Sequence, residues 1–443
     1  MSKRFIPLGF AISCCLSSAA LAEDLLDTYR LAQQSDPQLA AAAANFEAAR
    51  EEKSLSRAGL LPSINLSASA ARSIDDTTYL NPLFNKKIGY NNYGYQLALT
   101  QPLFRAERFT ALALTDLRIA KARSEYEAAK QALLLRVARA YFEVLAAQDN
   151  LHFARAEQVA VARQLEQTKQ RFEVGLTAIT DVNEAQARHD LIGAQVIAAE
   201  FALDDKRETL RQITGQYPDQ PVPLAQDLRL PPPEPADMDA WNKAALEQNL
   251  KLQAARYAAK LAEKAVQQSR NGHLPTLDLT LSHSKSSGGS FVDESVSNRV
   301  GVQFNLPIYG GGGTSAAVRQ ARSQYQAARH NLEQQRRATE AGTRTAYRSV
   351  TASIVRVQAL KQAVISNQSA LDATEAGYEV GTRTSVDVLN ARRELFRAQR
   401  DYAQARYDYI ISSLTLKDAA GMLSQNDLQQ INQWLEDSAP GQP

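Results

Sequence analysis

Cysteine is almost absent from this chain, and the two cysteines it has lie close to its start. Cys14 and Cys15 fall within residues 1–22, where Lys3 and Arg4 precede an apolar stretch that ends in Ala20-Leu21-Ala22. A basic start, an apolar core and small residues before a cleavage point are typical of a secretory signal peptide. We therefore predict export, and a mature chain without thiols, disulfides or cysteine metal ligands. A second interpretation, in which Cys14 or Cys15 is acylated as the first residue of a lipoprotein, requires cleavage inside the apolar stretch.

The mature chain also lacks an excess of either charge and a long apolar run. Lys3 and Arg4 are the only charged residues of the leader, so 48 of the 50 basic residues remain against 48 acidic ones. No basic block indicates nucleic acid binding, and acidic and basic residues alternate as they do on solvated or mutually paired helix faces. No apolar stretch of 18 residues follows Ala22, so no transmembrane helix is expected. Membrane insertion would have to use strands.

Catalytic and metal-binding patterns are missing as well. The five histidines, His152, His189, His273, His283 and His330, show no metal-ligand spacing, and no glycine-rich phosphate loop follows a strand. No nucleophile motif is present either. We therefore predict that the protein is not an enzyme and that it needs no cofactor.

The sequence does contain an internal repeat. Phe172-Glu173-Val174-Gly175 through Val182 recurs 206 residues later as Tyr378-Glu379-Val380-Gly381 through Val388, and six of 14 positions from Phe172 to Ala185 are identical. Two proline-containing segments also recur, Gly59–Leu66 at Gly272–Leu279 and Leu99–Phe104 at Phe304–Tyr309. Both halves of the chain thus carry the same parts in the same order, which indicates duplication of one unit.

Each half reads as helix, strand hairpin and two further helices. The first repeat is placed at residues 23–215, with a helix to about Gly59, strands within about 63–103 and a turn-rich segment from Arg72 to Asn92. The second is placed at 238–423, with a helix to about Asn271, strands within about 276–308 and a turn-rich segment from Lys285 to Asn298. Ser35-Asp36-Pro37 predicts a cap and restart inside the first helix.

The longest helices are predicted from about Arg105 to Glu173 and from about Thr314 to Glu379. The helix from Arg105 to Glu173 would be about 100 Å long, and this length favours coiled-coil packing over a globular domain. Gly175 and Gly381 are expected to end these helices in the left-handed conformation, with Thr180-Asp181 and Thr384-Ser385 as caps of the next ones. The tips near 175–181 and 381–387 are therefore helical hairpin turns.

Two segments fall outside the repeats. The proline-rich residues 216–237 are predicted to form an extended connector rather than a core element, and residues 424–443 a partly disordered tail. Four strands are too few to close a barrel in lipid, which starts at about eight strands, so a membrane protein of this kind would have to pool strands among subunits. A soluble sheet packed on helices is the alternative interpretation of the strands alone.

These features resemble the TolC family of outer-membrane channel-tunnels. The resemblance rests on the leader, the duplicated units, Leu306-Pro307-Ile308-Tyr309-Gly310 at the strand-to-helix junction and Gly377–Thr384 followed by Asp387-Val388-Leu389. It covers essentially the whole mature chain, and the second tip is more similar to the family's namesake than to its lipid-anchored drug-efflux branch.

The resemblance implies a mainly α fold with a transmembrane β part. Long antiparallel helices of three copies would form a trimeric α-barrel, continued by a pooled 12-stranded antiparallel β-barrel, with the connector and tail in an equatorial region. It implies a location in the outer membrane of a Gram-negative bacterium, with most of the mass in the periplasm. It also implies contact with outer-membrane lipid, a periplasmic adaptor and an inner-membrane transporter of the ABC or RND type, and the export of proteins or small toxic molecules.

Family resemblance further implies a gate at the periplasmic tips. Arg383 and Tyr378 of the second tip would bond Asp181 and Thr180 of the first, with Gln164 as a further partner of Tyr378. The competing interpretation is that Asp181 and Asp387 are helix caps and Arg383 is a solvated loop charge. Exposed charge-assisted bonds contribute only about 1 kcal/mol each, which suits a latch that a partner must open.

A carboxylate ring at the narrowest point is the last implied feature. Asp387 maps to that ring, and rings of Asp favour cations. The family's namesake carries a second Asp where this chain has Asn390, so we expect weaker cation selectivity. The principal rival hypothesis is a periplasmic coiled-coil adaptor or spacer, which would share export and long helices but has no need of duplicated strand hairpins.

Overall fold

The computed structural model describes residues 24–217, 221–225, 230–288 and 293–435. The predicted leader, residues 1–22 with Cys14 and Cys15, lies outside these residues. Within them, helices dominate and a single sheet is present, which confirms a mainly α fold with a β part. No helix among the described residues is both long and apolar enough to cross a membrane.

The described residues of the first half of the chain form four α-helices: α1 (Leu25–Ser35), α2 (Pro37–Ala58), α3 (Ala106–Glu173) and α4 (Ile179–Thr214). The predicted break at Asp36 is confirmed. Its carboxylate accepts the backbone N–H of Leu39 at 2.6 Å and the guanidinium of Arg136 at 2.9 Å, so it caps α2 and ties it to α3.

In the second half, the part that the structure describes contains five α-helices: α5 (Met238–Gln248), α6 (Leu250–Arg270), α7 (Gly313–Glu379), α8 (Ser385–Ala420) and α9 (Gln425–Asn432). The prediction of one continuous helix to Asn271 was wrong, because Asn249 interrupts it. The Asn249 side chain accepts the backbone N–H of Leu252 at 3.0 Å and donates to the carbonyl of Ala419 at 3.0 Å. Asn249 therefore caps α6 in the same way as Asp36 caps α2, but its side chain is neutral.

One antiparallel sheet joins the two hairpins in the order β1-β2-β3-β4, formed by β1 (Ser63–Thr77), β2 (Lys86–Arg105), β3 (Thr276–Ser287) and β4 (Glu294–Asn305). The strands run further into the expected turn segments than predicted. Between β1 and β2 the ladder continues from Arg72↔Asn91 to Thr77↔Lys86. Polar pairs such as Lys87–Asp76 hold it there, which an apolar alternation cannot reveal.

The register gives the sheet two chemically different faces. Leu66 pairs with Leu97, Leu99 with Leu281 and Leu279 with Val302, so the apolar residues of all four strands share one face. Ser67 pairs with Gln96, Ala98 with Ser282 and Thr280 with Gly301 on the other face. The sheet is therefore amphipathic across its whole width.

The main hydrophobic core lies at mid-height of the long helices, where α1, α3, α7, α8 and α9 converge around Tyr141, Phe142 and Tyr409. Val222 and Leu224 of the connector are buried in it, and Leu224 forms a bridge with Leu435 of the tail. Val222 and Leu224 of the connector thus belong to the core, contrary to the sequence prediction of an extended segment outside it. The tail is helical over α9, and residues 436–443 lie outside the described part.

Candidate functional site

The long helices α3 and α7 end in two matching turns. Gly175 and Gly381 have φ values of 78° and 77°, and the chain turns back through bonds from Leu176 N–H to the Arg171 carbonyl and from Thr382 N–H to the Gly377 carbonyl, both 2.8 Å. This is the Schellman arrangement of a helix C-terminus. A Cβ would meet nothing within 4 Å at either glycine, so the left-handed backbone, and not lack of space, requires glycine there.

At the first tip, the helix α4 begins without a side-chain cap. Its N-cap is Ala178, and Asp181 lies in the first helical turn, where its carboxylate accepts the hydroxyl of Thr177. The prediction of Thr180-Asp181 as the cap was therefore wrong by two positions. Asp181 instead places a negative charge at the positive end of the helix, which is favourable.

At the second tip, α8 begins with a complete capping box. The Asp387 carboxylate accepts the backbone N–H and the hydroxyl of Thr384, both at 2.9 Å, and the Thr384 hydroxyl accepts Asp387 N–H at 3.2 Å. These hydrogen bonds hold the pKa of the Asp387 carboxyl below its usual range, and the bond from the Thr384 backbone N–H has the largest effect. Thr384 is the cap; Ser385 lies inside the helix and is buried. Asn390 is exposed one turn further on.

A cavity of about 570 Å³ lies between the last turns of α3 and α7 and the first turns of α8. Tyr378 lies in its wall with the Arg171 guanidinium 4.4 Å from the ring centre, and the buried Tyr378 hydroxyl has no hydrogen-bond partner among the described residues. Gln164 donates to Ser385 at 3.3 Å and not to Tyr378. The side chain of Arg383 packs against Gly377.

The five predicted latch residues are therefore close to the tips but unconnected in one protomer. Within the described part of the chain, no hydrogen bond or ion pair joins Asp181 or Thr180 to Tyr378 or Arg383. Among the described residues, the buried Tyr378 hydroxyl has no hydrogen-bond partner and the Arg383 guanidinium forms no ion pair within 4 Å.

A buried charge cluster above the tips was missed by sequence reasoning. Glu157 of α3 is 1% exposed and binds Arg188 of α4 at 2.5 Å and Arg400 of α8 at 3.1 Å. The guanidiniums lie 31 and 243 positions from Glu157 in sequence, so no spacing signals the cluster. The cluster holds α4 and α8 against α3.

The apolar face of the sheet is the second unusual surface of the molecule. Large apolar side chains on it are strongly exposed in the protomer: Ile64, Leu66, Tyr93, Tyr95, Leu97, Val300, Val302 and Phe304. A continuous exposed apolar face of this extent marks an interaction with lipid or with another protein. Among the described residues, no group of three or more His, Cys, Asp or Glu side chains is placed to hold a metal ion.

Long helical hairpins, an amphipathic sheet with exposed apolar side chains and two matched tips define the class of outer-membrane channels. The sequence profile of the family described as "Outer membrane efflux protein" matches residues 28–216 and 241–422. The chain belongs to this family. It is an outer-membrane exit duct for efflux or secretion, not an enzyme, and the rival hypothesis of a periplasmic spacer is thereby rejected.

Individual relatives agree with this assignment. The chain is 40% identical to outer membrane protein TolC of Vibrio cholerae, over 98% of this chain and 99% of the relative. It is 33% identical to the alkaline protease secretion protein AprF of Pseudomonas aeruginosa, over 94% and 88% of the two chains. The crystal structure of the Campylobacter jejuni CmeC outer membrane channel has the same fold, with a TM-score of 0.79, 17% identity and coverage of 94% and 90%.

Proposed function

We propose that three copies of this chain pool their sheets into one 12-stranded β-barrel in the outer membrane. The observation that carries the proposal is the register, which places the apolar side chains of β1 to β4 on one face and leaves the outer edges of β1 and β4 unpaired among the described residues. Backbone groups in lipid must be hydrogen-bonded, so such edges need strands from neighbouring copies. The apolar face then contacts outer-membrane lipid.

The helices continue the duct into the periplasm. α3 and α7 have 68 and 67 residues and therefore extend about 100 Å below the sheet. With α4 and α8 of each copy they form a helical tunnel. Channels of this family work with a periplasmic adaptor and an inner-membrane transporter, here of the ABC or RND type, and we propose that the tips are the ends that such partners open.

The gate is a latch between the two kinds of tip. Arg383 and Tyr378 bond Asp181 and Thr180 of a neighbouring protomer, with Gln164 as a further partner of Tyr378. Support comes from the Tyr378 hydroxyl, which has no hydrogen-bond partner among the described residues, and from the Arg383 guanidinium, which forms no ion pair with any of them. Asp181 keeps a second carboxylate oxygen for this purpose, since only one accepts the Thr177 hydroxyl.

Asp387 and Asn390 line the narrowest point of the closed mouth. Three Asp387 carboxylates around the axis attract cations, and their pKa, held low by Thr384, keeps them charged. Asn390 adds no charge, so the ring carries three negative charges.

A charge exchange tests the latch and the trimer together. Asp181→Arg and Arg383→Asp, made singly, place like charges at the contact and should raise single-channel conductance in planar bilayers, whereas the double variant should restore the low conductance of the native protein. Arg397→Asp, an exposed arginine of α8 further from the tip, is the matched control. A protein that is monomeric in detergent and shows no conductance would overturn the duct itself. Conductance unaltered in both single variants would overturn only the latch.

A further inference from the structure

The face of the sheet opposite the apolar one is built almost entirely from small, uncharged polar residues. On β1 and β2 it carries Ser63, Asn65, Ser67, Ser69, Gly94, Gln96, Ala98 and Thr100; on β3 and β4 it carries Thr280, Ser282, Ser284, Ser297, Gly301 and Gln303. Such a surface offers hydroxyls and amides to water but no net charge. Any charge on it therefore dominates the local potential.

Three charged residues, Arg105, Asp278 and Arg299, lie on this polar face in the part of the sheet around β3, and only Arg299 among them is uncompensated. Asp278 is bonded by Arg105 through two parallel contacts of 2.9 and 2.7 Å, so its charge is neutralised. Arg299 lies opposite Ser282, is exposed, and makes no hydrogen bond or ion pair with any described residue. Its same-face neighbours along β4 are Ser297 and Gly301, which cannot balance it.

The basic and acidic residues of the other face behave differently. Lys285 of β3 and Glu294 of β4 form an ion pair of 2.8 Å at the far end of the sheet from the helices. The polar face also carries Lys86 and Asp75 in the two-stranded end of the β1–β2 hairpin, where their opposite charges cancel in sum, so Arg299 leaves the described polar face with one net positive charge. A strand residue placed on this face faces the axis when the opposite face meets lipid.

We propose that Arg299 lines the water-filled interior of the β part, where three copies form an electropositive ring that disfavours cations and admits anionic solutes. The proposal rests on the pooled barrel proposed above. Its sign is opposite to that of the Asp387 ring, so the duct has a negative mouth in the periplasm and a positive ring in the membrane. Arg299 is a selectivity residue of this chain.

The two rings act independently, because α7 separates them by about 100 Å, many times the Debye length of about 10 Å at 0.1 M salt. Three unit charges placed ~10 Å from the axis in water of that salt concentration change the ratio of cation to anion permeability roughly fourfold. Removing Arg299 should raise that ratio by this factor, and reversing its charge should raise it further.

Reversal potentials of the purified protein in planar bilayers under a KCl gradient test this inference. Arg299→Ser should increase the ratio of K⁺ to Cl⁻ permeability roughly fourfold, Arg299→Glu should increase it more, and Arg299→Lys should leave it close to native. Arg72→Ser is the matched control, since Arg72 lies on the opposite face of β1 and pairs with Asn91 across the hairpin.

The outcomes separate this inference from the function on which it rests. Native protein that conducts ions, with equal permeability ratios in native and Arg299→Ser channels, would overturn the ring while leaving the duct intact. An equal shift in Arg72→Ser would also overturn it, because the effect would then not depend on the face. Absence of conductance in the native protein would overturn both.

Discussion

Glu157 is the residue whose replacement should loosen the helical part of the molecule most. Its carboxylate is 1% exposed and binds two guanidiniums, from α4 and α8, that are 16% and 24% exposed. Glu157→Gln keeps the shape but leaves two half-buried positive charges facing a neutral amide. Breaking a buried ion pair in this way costs about 3 kcal/mol.

The expected change in melting temperature follows from the size of the chain. An unfolding entropy of ~2.1 cal/mol/K per residue gives about 0.9 kcal/mol per degree for a protomer of this length, so Glu157→Gln should lower the Tm by ~3 °C. Differential scanning calorimetry of the purified protein in detergent measures this shift.

An exposed cluster of the same composition provides the control. Glu333 of α7 also binds two arginines, Arg336 at 2.9 Å and Arg337 at 2.8 Å, but all three side chains are largely exposed. Water and salt screen this cluster, so Glu333→Gln should leave the Tm almost unchanged. Equal shifts in the two variants would refute the argument that burial makes the Glu157 cluster important.

Three further predictions concern the helix ends and the closed mouth. Gly421→Ala should destabilise the protein by roughly 2–3 kcal/mol, because Gly421 has a φ of 74° and an added Cβ would lie 2.6 Å from the Gln248 carbonyl oxygen. Gly342→Ala should stabilise the protein by about 0.5–1 kcal/mol, because Gly342 lies inside α7 with open space around it. Equal denaturation midpoints for the two variants would contradict both predictions. The lowered pKa of Asp387 means that its cap stabilises α8 above the usual carboxyl pKa of 3.8 and is lost as the pH falls through the lower folded value; hydrogen-exchange protection factors at the start of α8, taken relative to the intrinsic exchange rate at each pH, should therefore fall below pH 3.8 in the native protein and change less with pH in Asp387→Asn. Asn390→Asp should double the charge of the ring and strengthen block by a trivalent cation in bilayer recordings, whereas equal block would show that Asn390 does not line the pore.

Periodicity was sufficient to predict the long helices and the sheet. The recurring segments Leu99–Phe104 and Phe304–Tyr309 marked where each second strand gives way to a long helix, since neighbouring residues decide that pattern. The ends of the strands could not be predicted, because pairs such as Tyr90 with Asp75 extend the β1–β2 ladder through polar residues. Likewise, Asn249 interrupts a helix-like stretch because it bonds to Ala419, which lies 170 positions away.

The tips show the same division between local and distant information. Gly175 and Gly381 could be chosen from sequence because a helix C-terminus needs a left-handed residue. The position of the first cap was missed by two residues, since Ala178 carries no capping side chain. The Glu157 cluster had no local signal at all, because packing of three helices creates it.

Single-channel recording of a latch variant tests the central claim most directly, namely that this chain forms a duct held closed at its helical tips. The native protein should show low conductance, and the double variant Asp181→Ala/Arg383→Ala should conduct several times more. An Asp181→Ala/Arg383→Ala channel with native conductance would contradict a gate at the tips, and a native protein without any conductance would contradict the duct.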